Sequence, residues 1–185
     1  MAEPKFIPQT FQAQSNTIAS YDYTDIAEGT GTIIFYGMRS NVSGANTYKL
    51  MKTALPATIT RLHTDNKSVN FDLSEFNFPK IVKGTGYLSG ALYSSGNTTN
   101  VGITFKKVSG TAVTSISSRI YSDNATGAQN VFIPVPLTTT HFKKGDILRV
   151  LIDVKTAGSE DGFGIDPEAT DRAAMKVLVP FKIDL

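Results

Sequence analysis

Between Met175 and Leu185 the apolar residues fall on every second position: Met175, Val177, Val179, Phe181, Ile183 and Leu185 share one parity, while the other carries Lys176, Lys182 and Asp184. Side chains of an extended strand point alternately to opposite faces, so this pattern buries one face of a strand and wets the other. Pro180 inside it has no N–H to give to a ladder and places the strand at a sheet edge or a bulge. The same period recurs upstream. Leu148, Val150, Ile152 and Val154 alternate with Arg149 and Asp153, and Val101, Ile103 and Phe105 alternate with Thr104 and Lys106. Helical periodicity is almost absent, so the chain reads as an all-β protein.

Turn chemistry agrees. Lys143-Lys144-Gly145-Asp146 leads into the strand Ile147 to Val154, and Ser109-Gly110 turns the chain back into Thr111 to Tyr121. Further strands are expected over Thr17 to Tyr23, Thr30 to Tyr36, Tyr48 to Lys52, Thr58 to His63, Val69 to Leu73, Gly86 to Tyr93 and Val131 to Val135. So many half-apolar strands must bury their faces on something, which predicts an antiparallel two-sheet sandwich of the jelly-roll type. An immunoglobulin-like sandwich fits less well, because the chain has no Trp and no Cys and its 185 residues exceed the roughly 100 of that fold. A short helix over Glu168 to Ala174, after Pro167, is the one helical expectation.

The length fits one domain, and 41% hydrophobic residues supply a core without staples. Residues 1–16 hold Pro4, Pro8, Gln9, Gln12 and Gln14 with only Phe6, Ile7 and Phe11 as anchors, so they read as an extended arm on a domain spanning residues 17–185. The arm is expected to be ordered by a neighbouring subunit. No signal sequence and no run of about 20 apolar residues is present, so a soluble protein made in a cytoplasm is expected. A net charge of +2 disfavours direct nucleic-acid binding.

The absence of cysteine excludes thiolate metal sites, iron–sulfur clusters and a cysteine nucleophile. His63 and His141 are the only histidines and are far apart in sequence, which predicts surface residues rather than a metal pair. The glycine pairs at Gly29 and Gly31, Gly84 and Gly86, and Gly162 and Gly164 lack the context of a phosphate loop and read as turn glycines. Four N-x-S/T triplets begin at Asn41, Asn66, Asn97 and Asn124 and carry no weight without a secretory context. The segment from Ser159 to Arg172 gathers five carboxylates around Gly162, Gly164 and Pro167, and Asp161, Asp166 and Glu168 are its candidate Ca²⁺ ligands. The spacing of a dedicated calcium loop is missing, so an exposed connection is expected there and no cofactor. Tyr21, Tyr23, Tyr36 and Tyr93 stand near strand ends, as core or rim packing.

Taken together, the stretches Phe142 to Val154, Gly164 to Arg172 (with its D-P-x-x-x-D-R pattern) and Val179 to Leu185 (V-P-F-K-I-D-L) resemble jelly-roll structural proteins of virus particles, especially those of bacterial viruses. The resemblance covers the last third of the chain. It implies a non-enzymatic virion building block of capsid, vertex or decoration type, a homo-oligomer located in the virion, with itself and other virion proteins as partners. The lack of a basic arm favours an outer position. The alternative of a different class is a carbohydrate- or receptor-binding jelly roll of a tail or fibre, using loop aromatics and the acidic loop.

Overall fold

The structure, a computed structural model, describes residues 31–42, 45–53, 61–63, 67–94, 98–156, 162–165 and 175–183. Twelve strands run through these residues in chain order: β1 (Gly31–Val42), β2 (Ala45–Met51), β3 (Arg61–His63), β4 (Lys67–Asp72), β5 (Lys80–Tyr93), β6 (Thr99–Ser109), β7 (Ala112–Ser115), β8 (Ile120–Tyr121), β9 (Gln129–Phe142), β10 (Ile147–Thr156), β11 (Gly162–Gly164) and β12 (Lys176–Ile183). The described residues contain no helix, and the all-β reading holds. The arm, the strand expected at Thr17 to Tyr23 and the helix expected at Glu168 to Ala174 lie outside the described residues.

Hydrogen bonding links the strands in the order β3-β11-β5-β12-β1-β2-β4-β10-β6-β7, with β9 added to the far edge of β5 and β8 to β6. Every pairing is antiparallel except one. Lys49 of β2 meets Asp72 of β4 in a parallel contact, so the sheet is mixed and not purely antiparallel as the sequence led us to expect. The reason is connectivity: β1 and β2 form a hairpin with seven paired positions, and the chain then leaves and returns to set β4 alongside β2 in the same direction.

The two ends of this path fold back on each other. A Cβ added at Gly86 of β5 would stand 3.0 Å from the Phe105 ring of β6, so the inner faces of those strands touch across the core. Leu148, Val150, Ile152 and Val154 of β10 and Val177, Val179 and Phe181 of β12 are all buried, as their alternation requires. Aromatic rings pack against one another in the core: Phe181 lies edge-on against Phe35 and Phe76, and Phe76 against Phe142. Pro180 sits where the register of β12 against β5 shifts, between Leu178 and Phe181, which is the bulge its missing N–H calls for.

The turn before β10 shows how local chemistry fixes a connection. Gly145 has φ of +85°, a conformation costly for any residue with a Cβ. The Asp146 carboxylate accepts the Lys143 N–H at 2.7 Å, and the Asp146 N–H donates to the Lys143 carbonyl at 3.1 Å. Asp146 is also paired with Lys107 of β6 at 2.8 Å, and Lys107 donates to the His141 carbonyl at 2.6 Å while lying over the Phe142 ring. Burial would push the Asp146 carboxyl up, but the bonds from Lys107, the Lys143 N–H and Ser109 hold it below the ordinary carboxylate range.

Candidate functional site

A single register row crosses four strands on the outer side of the sheet. Asp153 of β10 stands opposite Ser68 of β4 on one side and Gly102 of β6 on the other, and Gly102 stands opposite Tyr121 of β8. Because Gly102 has no side chain, the Tyr121 ring lies over it and reaches the next strand but one. A Cβ at Gly102 would meet that ring at 2.6 Å.

Asp153 collects the polar ends of the row. The Tyr121 hydroxyl donates to Oδ2 at 2.5 Å, Arg119 Nη1 donates to the same oxygen at 3.1 Å, and the Ser68 hydroxyl donates to Oδ1 at 2.6 Å. Lys155 Nζ sits 4.4 Å over the Tyr121 ring, a cation–π contact that adds positive potential beside the acid. Desolvation would raise the Asp153 carboxyl; the bonds from Ser68 and Tyr121, with the charges of Arg119 and Lys155, outweigh it and hold the group below the usual carboxylate range. Arg119 is held above its ordinary value chiefly by its hydrogen bond to Tyr121. Asp153 therefore stays ionised at neutral pH and is a poor general base. The Ser68 hydroxyl donates its hydrogen bond to this carboxylate and not to an imidazole, so the cluster is a clamp that ties β8 onto β6, β10 and β4. Two rows along on the same face, Arg149 makes a two-pronged pair with Asp72, at 2.6 and 2.7 Å.

What the clamp positions is one wall of a cleft of about 370 Å³, within the size range of ligand sites. Ile120 to Asp123 line one side and Gln129 to Pro134 the other. Phe132 projects at its rim, 61% exposed, and its ring stacks on Tyr87 with centroids 4.9 Å apart.

Changing Gly102 to Ala should force the Tyr121 ring off Asp153 and cost about 2 kcal/mol, or roughly 4–8 °C in Tm for a chain of this size. Thermal unfolding followed by circular dichroism checks it. An unchanged Tm would mean that Tyr121 does not clamp β8.

Other sequence-derived candidates are not brought together. Asp161, Asp166 and Glu168 lie outside the described residues, and no group of three His, Cys, Asp or Glu side chains among the described residues could hold a metal ion. His63 pairs through its backbone with Gly162, beside the Tyr93 end of β5, whereas His141 pairs with Ile81 at the other end of that strand. Tyr93 is buried, Tyr36 is half-buried, and Tyr21 and Tyr23 lie outside the described residues. Of the four triplets, Asn124 is exposed and its carboxamide oxygen accepts from Asn100. The segment expected to be a loop contains β11, which pairs with both β3 and β5; its Phe163 is fully buried and packs where a Gly90 side chain would otherwise stand.

No protein-family profile matches the chain, and no curated protein matches it in sequence. Solved structures do share its fold. An α-amino acid ester hydrolase overlays with a TM-score of 0.51 at 9% identity, covering 82% of this chain and 34% of its own. An aminopeptidase from the marine sediment archaeon Thaumarchaeota archaeon gives 0.53 at 10% identity, over 93% and 38%. A CocE/NonD family hydrolase from Staphylococcus aureus gives 0.50 at 11% identity, over 84% and 34%. The chain thus spans about a third of the length of the hydrolases it resembles.

These likenesses correct the reading drawn from the last third of the sequence. The three solved chains just described are hydrolases and not particle proteins. The virion building block, its non-enzymatic character, the virion location and the tail or fibre alternative are set aside. The physical reason is that the Lys143 to Asp146 turn and the alternating strands are local solutions to strand geometry, and a β-fold carries such signals whatever function it serves. No helix among the described residues is long and apolar enough to cross a membrane.

Proposed function

We propose that this chain is the β-domain of a hydrolase acting on acyl bonds, esters or amides, where it packs beside the part that carries the reacting groups. The observation that carries the reading is the overlay of 93% of this chain on 38% of an aminopeptidase, repeated for an ester hydrolase over 82% and 34%. One domain-sized portion of each of these hydrolases has the shape of this chain. The Asp153 clamp supports the same division of labour: its carboxylate is saturated with donors and its serine is not activated, so it builds a wall and does not break a bond. On this reading the strands form a jelly-roll-type sandwich, in which β9 comes back over β6 and Thr138 donates its N–H to the Ile116 carbonyl.

Lysine cross-linking of the protein in its own cells, read by mass spectrometry, tests the arrangement. Exposed Lys83, Lys144 and Lys182 should link to a segment or polypeptide with hydrolase chemistry. Links joining only copies of this chain would contradict it.

A further inference from the structure

The neighbouring strands β9, β5, β12 and β1 are apolar on both faces. One register row across them, Ile133, Leu88, Val177 and Phe35, is buried in the core. The next row, Pro134, Tyr87, Leu178 and Ile34, points to the other side and is just as apolar, where a face turned to water ordinarily alternates to polar residues. Beside it run Phe132, Ser89, Lys176 and Tyr36, and Phe132 stacks on Tyr87. Among the described residues three large apolar side chains are exposed, and two of them, Ile34 at 43% and Phe132 at 61%, stand on this face.

Charge narrows what covers it. None of the four strands contains an Asp or Glu, while Lys83, Lys176 and Lys182 stand on them. A second copy laid face to face would oppose these lysines to one another, so the fitting occupant is apolar and acidic. The residues leading into β1 have that composition: from Thr17 to Glu28 come Ile18, Tyr21, Tyr23 and Ile26 with Asp22, Asp25 and Glu28, and neither Lys nor Arg. Gly31, which opens β1 opposite Phe181, has φ of +109° with open space where a Cβ would stand. It is therefore the backbone conformation that calls for glycine, at the point where the chain turns into the sheet. From Gly31 to Ser89 is two strands across and five positions along, about 20 Å, the span of about six extended residues.

We infer that residues 17–28 of this chain pack across the outer face of β9, β5, β12 and β1, with their apolar side chains on the row from Pro134 to Ile34 and their carboxylates against its lysines. The inference rests on this face and on the composition of the segment, and stands whether or not the chain serves a hydrolase.

The chain has no cysteine of its own, so an introduced pair reports the approach. Ser89→Cys, a nearly isosteric change on the face, is combined in the full chain with Tyr23→Cys or Ile26→Cys, oxidised mildly and read by mass spectrometry. In one of these pairs an intrachain disulfide should form at least about tenfold faster than when the same segment cysteine is combined with Thr114→Cys on the exposed β7, because a freely moving tether would give both targets a comparable effective concentration. Raising NaCl to about 1 M should slow the linkage about threefold, and this dependence should vanish in Asp22→Asn/Asp25→Asn/Glu28→Gln. Equal rates at Ser89 and Thr114 for both segment positions, disulfides formed only between copies, or the same salt response after the carboxylates are neutralised would each overturn the inference.

Discussion

Replacing Val150 with Asp should leave the chain unfolded or insoluble at 25 °C. Val150 is fully buried in the middle of β10, with Phe71 of β4 opposite it on one side and Phe105 of β6 on the other, both fully buried. A carboxylate there would have no donor within an aromatic and aliphatic shell, and an unpaired buried charge costs about 4 kcal/mol or more, a large share of the roughly 5–15 kcal/mol that a domain possesses. Val150→Ala separates charge from size: it removes two methyl groups and should cost about 2 kcal/mol while leaving a folded protein. Urea unfolding of both variants checks this. A folded Val150→Asp protein with near-normal stability would mean that β10 turns its other face to the core.

Asp153→Ala should be the most damaging change on the outer face. It takes the acceptor away from the half-buried Tyr121 hydroxyl, the exposed Ser68 hydroxyl and the Arg119 guanidinium. Arg119 is 46% exposed and regains water, so its share is small. The lost bonds to a nearly buried carboxylate dominate, and the expected cost is about 2–3 kcal/mol. The same group gives stability a pH dependence. The folded-state pKa values of Asp153 and Asp146 are both depressed, so their contribution is complete above the unfolded value of about 3.9 and is lost as pH falls through the folded values. Tm should therefore decline as pH is lowered below about 4, and decline less steeply in Asp153→Ala, where one of the two acids is gone. Equal slopes in variant and wild type would show that Asp153 is not held ionised by its partners.

Period-two alternation makes most of the strands legible in the amino-acid sequence, because burial on one face is a one-dimensional signal. It places Leu148, Val150, Ile152 and Val154 inward and leaves Asp153 on the polar parity. The signal fails where tertiary partners decide. Gly162-Phe163-Gly164 has too few residues to show a period, and its strand exists because β3 and β5 flank it and Phe163 finds space over Gly90. The stretch from Thr111 to Tyr121 reads as one strand but divides into β7 and β8, with Ile116 and Ser117 bonding back to Phe105 between them. The clamp is invisible along the chain for a related reason. Ser68, Gly102, Tyr121 and Asp153 share a row only through the registers of three pairings, and no spacing along the chain encodes a register. A glycine in the middle of an otherwise β-branched strand is the available hint, since it marks a close approach.

Hydrolysis by the protein in its native form tests the central claim most directly. The protein, isolated intact from its own cells through a tag on this chain, is assayed with amino-acid p-nitrophenyl esters and p-nitroanilides. The account predicts turnover of one of these classes above the uncatalysed rate, co-eluting with the chain through successive columns. A folded preparation that elutes as a single species and leaves both substrate classes at the uncatalysed rate would contradict it.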